Sequence, residues 1–143
     1  MKKMNSCIIV EDETSIYDTL FEILQLSGLN DIPFTTGEDA IAWVDDYDKG
    51  GYRSYRPHLA LLDFRLPGKI SGFDVAYRIR QSPVLNNIVV VIMTAYSLTE
   101  KEKQELMDYS GADLFLEKPL PPRKDFITQL NEQLAKRAKL KRA

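Results

Sequence analysis

Short apolar runs alternate along this chain with longer stretches in which apolar residues recur every three or four positions. Ile8-Ile9-Val10, Leu59-Ala60-Leu61-Leu62 and Ile88-Val89-Val90-Val91-Ile92-Met93 have no polar break. Runs of this length and composition are expected of strands buried on both faces. The pattern predicts strands at 6–10, 32–35, 59–62, 88–93 and 112–116. Pro33 in the second run has no N–H for a further neighbour, which places that strand at a sheet edge. The run 88–93, apolar throughout, is expected to be central.

Helical spacing fills the intervals. Ile16, Leu20, Ile23 and Leu24 share one face of a helix near 15–27, with Thr14 or Ser15 as its cap and Gly28 as its end. Residues 38–47 form a weaker helix and 73–81 a third. Thr99 and Glu102 make a capping-box pair for a fourth, which stops at Gly111. A last helix follows Pro121-Pro122, with Phe126 or Ile127, Leu130 and Leu134 on its inner face. Five strand–helix units in succession define an α/β fold, a doubly wound five-stranded parallel sheet with helices on both faces.

The bulk numbers narrow the function. A chain of 143 residues suits one compact domain, and 44% hydrophobic with 28% charged residues is an ordinary soluble balance. The net charge of −2 gives no overall basic field to attract nucleic acid or a membrane. No apolar run approaches the ~20 residues of a membrane span, and the N-terminus lacks the apolar core of a signal peptide. The single cysteine, Cys7, is expected as a reduced thiol within the first strand. A cytoplasmic location is the default expectation.

The chemistry lies at strand ends. In a doubly wound sheet, functional groups collect beyond the carboxyl ends of the strands. Glu11 and Asp12 follow the first strand, Asp63 ends the third, Thr94 follows the fourth, and Lys118 follows the fifth. Three carboxylates in one place repel one another unless a cation joins them. Oxygen ligands of this kind suit Mg²⁺. Lys118 and Thr94 add a positive charge and a hydroxyl donor, so the set reads as phosphoryl transfer onto an aspartate.

Val10-Glu11-Asp12-Glu13, Leu62-Asp63 with Leu66-Pro67-Gly68, Met93-Thr94-Ala95 and Glu117-Lys118-Pro119-Leu120, in that order, resemble the receiver domain of two-component response regulators. The resemblance covers roughly 5–135 and implies a flavodoxin-like (βα)5 fold, with a receiver domain at 5–138 and a basic tail at 139–143. It implies that Asp63 is the phosphoacceptor, taking a phosphoryl group from a phosphohistidine on a histidine kinase or histidine phosphotransfer protein. Glu11, Asp12, Asp63 and the backbone carbonyl of Arg65 are the implied Mg²⁺ ligands, with Glu11 acting through water. Thr94 and Lys118 are the implied catalytic pair. Thr94 and Phe115 are the implied switch, and the face of helix four, strand five and helix five the implied output surface for an effector or a homodimer. No catalysis beyond the domain's own phosphorylation and dephosphorylation is implied.

The chain departs from the family's commonest pattern in several places. Glu11 stands where aspartate is usual, the loop after Asp63 is a residue longer, and Phe115 lacks the hydroxyl of the tyrosine often found there. Arg65 and Tyr96 occupy positions at which the family tunes dephosphorylation, and their bulk is expected to hinder the attacking water. The chain's short extent beyond the fifth helix is expected to leave no room for a DNA-binding output domain, so it either acts alone or belongs to something larger. A phosphoesterase of haloacid-dehalogenase type fits poorly, because its DxD motif follows the first strand. A flavodoxin would place a hydroxyl- and glycine-rich loop where Glu11-Asp12-Glu13-Thr14 stands. The remaining alternative is a degenerate, phosphorylation-independent interaction module.

Other conspicuous residues have plainer readings. His58 is structural, Trp43 half-buried, and Asp45, Asp46 and Asp48 form a solvated helix end. Loop 49–57 is an exposed segment, and the basic residues 136–142 favour the end of the last helix while staying in water.

Overall fold

The computed structural model describes residues 3–142. Ten elements alternate along the chain: β1 (Met4–Val10), α1 (Thr14–Leu26), β2 (Asn30–Phe34), α2 (Gly37–Asp48), β3 (Tyr55–Asp63), α3 (Gly72–Gln81), β4 (Val89–Thr94), α4 (Glu100–Ser110), β5 (Leu114–Glu117) and α5 (Arg123–Arg142). The strands form one parallel sheet in the order β2-β1-β3-β4-β5.

Strand periodicity divides the core in two. Ile8, Val10, Ala60, Leu62, Val90 and Ile92 point to one face and pack with Ala40, Trp43 and Val44 of α2 and Phe73, Ala76 and Ile79 of α3. Their neighbours Cys7, Ile9, Leu59, Leu61, Val91 and Met93 point to the other, against Leu20, Ile23 and Leu24 of α1 and Phe126 and Leu130 of α5. Alternate residues therefore serve opposite layers, which is why the runs 7–10, 59–62 and 89–93 carry no polar position. Pro33 does lie in an edge strand, paired only with β1. The position at the middle of the sheet belongs to β3, with β4 beside it.

Several expectations are corrected. Thr14 is the first helical residue of α1; its N-cap is Glu13, and no side chain caps that end. Strand β3 starts at Tyr55, so Tyr55, Arg56 and Pro57 are sheet and not loop: they pair with the polar start of β1, where backbone bonding decides rather than burial. Trp43 is buried, not half-buried, because Tyr47 and Tyr52 stack on it at 5.1 and 5.3 Å. Arg53 is likewise occupied, its guanidinium bonding the Tyr47 carbonyl at 2.7 and 3.0 Å. The structural reading of His58, by contrast, agrees with its contact to Asn5, whose Oδ1 lies 3.1 Å from Nε2.

The acidic end of α2 is not simply solvated. Asp45 and Asp48 both pair with Arg78 of α3, at 2.8 and 2.7 Å, and Asp48 accepts from the Ser82 hydroxyl. Nor does the whole basic tail stay in water. Helix α5 runs unbroken past residue 138, and Arg137 turns back to pair with Asp113 at 2.6 Å. Ala143 and the side chains of Lys141 and Arg142 lie outside the described residues.

Asp113 is the polar keystone of this end of the sheet. It accepts from Arg80 at 2.9 Å, from Arg137 and from the Val90 N–H at 2.9 Å, tying α3, β4 and α5 together. Replacing it with alanine leaves two arginines and an amide without their acceptor. Asp113→Ala is expected to lower stability by about 2–3 kcal/mol, below the ~3–5 kcal/mol of a fully buried pair because both arginines keep some water contact. Urea unfolding of the two proteins measures the difference.

Candidate functional site

Parallel strands deliver all their carboxyl ends to one edge, and backbone hydrogen bonds carry the order past the strands themselves. The Glu11 N–H donates to the Phe34 carbonyl at 3.0 Å, the Phe64 N–H to Met93 at 2.8 Å and the Lys118 N–H to Thr94 at 2.7 Å. Glu11, Asp63 and Lys118 are thus held by the same ladders that build the sheet. The Lys118–Pro119 peptide bond is cis.

Lys118 leaves β5, yet its ammonium crosses the end of β4 to reach the two strands beyond. Nζ lies 2.8 Å from Asp63 Oδ1 and 3.0 Å from Glu11 Oε1. Asp12 completes the cluster: Glu11, Asp12 and Asp63 each offer a carboxylate oxygen, all within 4.8 Å of one another. Glu11 and Asp63 are buried and Asp12 is exposed. Glu11 and Asp12 also line a cavity of about 450 Å³ between the turns after β1 and β2.

Burial pushes the Asp63 carboxyl above its ordinary range, against the pull of Lys118 and with the help of Asp12 and Glu13. Burial does the same to Glu11, again opposed by Lys118 and reinforced by Asp63. For Lys118, burial works downward, but its bonds to Asp63 and Glu11 outweigh it and raise the pKa. One ammonium facing three acids leaves the cluster short of positive charge. Three hard oxygen donors, one of them exposed, fit a divalent ion of the Mg²⁺ kind, which retains water in its remaining positions.

The other expected residues are placed as follows. Thr94 is buried at the end of β4, where its hydroxyl oxygen accepts from the Tyr96 N–H at 3.0 Å. The hydroxyl is thus engaged by backbone rather than by Asp63 or Lys118. Phe115 lies inward, stacked on Phe73 with ring centres 6.3 Å apart and with the Lys103 ammonium 5.3 Å from its own. Arg65 and Tyr96, expected separately, meet: the guanidinium lies 4.6 Å over the tyrosine ring, which also takes Phe64 edge-on.

Gly72 was not expected in the site. A Cβ on it would fall 2.1 Å from the Asp63 carbonyl oxygen, so only glycine lets α3 start against the end of β3. Its N–H donates to Phe64 at 3.0 Å, closing the loop beyond the acid. The sequence signal was slight: a glycine after Ser71, at what proves to be a helix start with a capping box.

A doubly wound parallel sheet with an acid cluster and a lysine at its carboxyl edge defines a signalling domain of the receiver class. The model of the response regulator receiver domain matches residues 7–131, and the chain belongs to that family of two-component response regulators. It is 34% identical over 114 residues to a cyclic di-GMP phosphodiesterase of Thermotoga maritima, covering 79% of this chain and 27% of that protein. It is 27% identical over 115 residues to the polar-differentiation response regulator DivK of Brucella anthropi, covering 80% and 85%. The CheY-like receiver domain protein of Methanospirillum hungatei superposes with a TM-score of 0.77 at 22% identity, over 96% of this chain and 98% of that one. The chain thus spans about a quarter of one relative and most of the other. Among the described residues no helix is long and apolar enough to cross a membrane.

A carboxyl group whose pKa is higher in the folded chain than in the unfolded one opposes folding when ionised. That penalty is complete above the folded pKa and disappears below the unfolded value. In metal-free buffer at pH 7, Asp63→Asn is therefore expected to melt above the parent, with Lys118 still paired to Glu11. The advantage should shrink as pH falls through the carboxylate range. A variant that melts lower at pH 7 would show that the Lys118 bond outweighs burial.

Proposed function

We propose that this domain is a phosphoaccepting switch in a two-component phosphorelay, with Asp63 as the acceptor. The observation that carries the reading is the double contact of Lys118 with Asp63 and Glu11 inside a cluster of three acids. A carboxylate oxygen of Asp63 attacks the phosphorus of a phosphohistidine on a histidine kinase or phosphotransfer protein. The P–O bond forms as the P–N bond breaks, and the imidazole leaves with the electron pair.

Glu11, Asp12, Asp63 and the Arg65 carbonyl would hold Mg²⁺, with Glu11 acting through water. When bound, the ion offsets the charge of acids and phosphoryl oxygens and orients the incoming group. Lys118 supplies the fixed positive charge: it releases Glu11 or Asp63 as phosphoryl oxygens take their place. Thr94 exchanges its bond from the Tyr96 amide for a phosphoryl oxygen, and its displacement biases the face formed by α4, β5 and α5. Phe115, already inward and without a hydroxyl, contributes packing to that switch and no hydrogen bond. The partners are then the phosphodonor and an effector or a second copy that reads this face, all in the cytoplasm. The domain catalyses only its own phosphorylation and dephosphorylation.

The test is incubation with Mg²⁺ and acetyl phosphate beside Asp63→Asn, read by intact mass. A single phosphoryl gain in the parent and none in the variant is expected. No gain in a folded, Mg²⁺-binding parent favours the phosphorylation-independent module instead.

The stacked pair of Arg65 and Tyr96 is proposed to slow hydrolysis by crowding the water that attacks the acyl phosphate. Tyr96→Ala should shorten the phosphorylated lifetime severalfold. An unchanged decay rate in chase experiments would remove the pair from the mechanism.

A further inference from the structure

The loop 64–71 joins β3 to α3 and carries Arg65, whose carbonyl is assigned above to the metal. Its two ends are fixed. At one end the Phe64 N–H bonds Met93, and the Phe64 carbonyl accepts from Gly72. At the other, the capping box of Ser71 and Asp74 orders the start of α3.

In the middle the anchor comes from a different element. Glu38, in the first turn of α2, accepts from the backbone N–H of Lys69 through Oε2 at 3.1 Å. Gly68 has φ +89°, and a Cβ there would stand 2.5 and 2.9 Å from the two Glu38 carboxylate oxygens. The carboxylate thus rests against a residue without a side chain, in a backbone conformation that glycine favours. One residue beyond Lys69, Ile70 packs on Gly37, where a Cβ would meet the isoleucine Cγ2 at 2.5 Å. One glycine on each element makes room for the same junction.

An exposed glutamate at a helix start is ordinarily explained by the helix dipole. That explanation requires no particular partner, whereas here the carboxylate takes a main-chain amide 31 residues away. Between Phe64 and Lys69 the backbone holds only Arg65, Leu66, Pro67 and Gly68, with Pro67 fixing its own φ. Leu66 packs against the core. With both ends of that span tied, the Arg65 carbonyl has little freedom.

We propose that Glu38 is a positioning residue for the metal site: by holding Lys69 it sets the loop that presents the Arg65 carbonyl. The proposal rests on the function proposed above. It also gives the lengthened loop a support of its own.

The experiment compares the parent, Glu38→Ala and Glu38→Gln by calorimetric titration with MgCl₂ and by amide hydrogen exchange at Lys69. Glu38 is exposed, so both variants are expected to fold. Glu38→Ala should weaken Mg²⁺ binding about three- to tenfold, the scale of one ordinary hydrogen bond in water, and speed exchange at Lys69. Glu38→Gln keeps an oxygen that accepts the same bond and should restore both readings. Parental affinity in Glu38→Ala overturns the proposal. So does a glutamine variant as weak as the alanine one with Lys69 still protected, since charge alone would then explain the effect. A parent that binds no Mg²⁺ removes the metal site itself, while exchange at Lys69 still reports whether the anchor exists.

Discussion

Three carboxylates within 4.8 Å of one another and one ammonium between two of them is the constraint on which the rest depends. Left alone, such acids repel, and burial works further against their charge. The fold holds them together regardless, because each is attached to a strand end that the sheet does not release. Lys118 is the partial remedy. It binds two of the acids at once and still leaves the cluster short of positive charge, a deficit of the kind a divalent cation offsets.

Holding like charges this close requires rigidity around them, which the two-sided sheet supplies. Odd and even positions of β1, β3 and β4 face different helical layers, so none of these strands can slip by one residue without exchanging its two packing faces. The turns at the carboxyl edge inherit this registration through the bonds of Glu11 to Phe34, Phe64 to Met93 and Lys118 to Thr94. Gly72 then brings α3 hard against the Asp63 carbonyl. Asp63 is fixed through its main chain on both sides.

Away from the site, polar clamps join the helices. Arg78 links α3 to the acidic end of α2, Asp113 gathers Arg80 and Arg137, and Glu38 holds the loop after β3. The first two set the helical layers. The third joins a helix on one face to the loop at the carboxyl edge of the sheet. The inward ring of Phe115, stacked on Phe73, ties β5 to the same layer as α2 and α3.

The chain's own pattern determined the fold class, the order of the elements and the residues at the acidic edge. Apolar runs and helical spacing are local properties, and parallel strands must bring their carboxyl ends together. What it left out depends on partners distant in sequence. Tyr55, Arg56 and Pro57 look like loop until they pair with β1, and Asp48 looks solvated until Arg78 arrives from another helix. Trp43 is buried by stacking with Tyr47 of its own helix and with Tyr52 of the following loop, a packing that helical periodicity alone does not predict. Glu38 resembles any acid in a first helical turn, and Gly68 any turn glycine; only the folded chain sets one against the other. The residue types at the strand ends were therefore legible from the sequence. The contacts that hold their loops in place came from tertiary structure, because long-range hydrogen bonds leave no periodic trace along the chain.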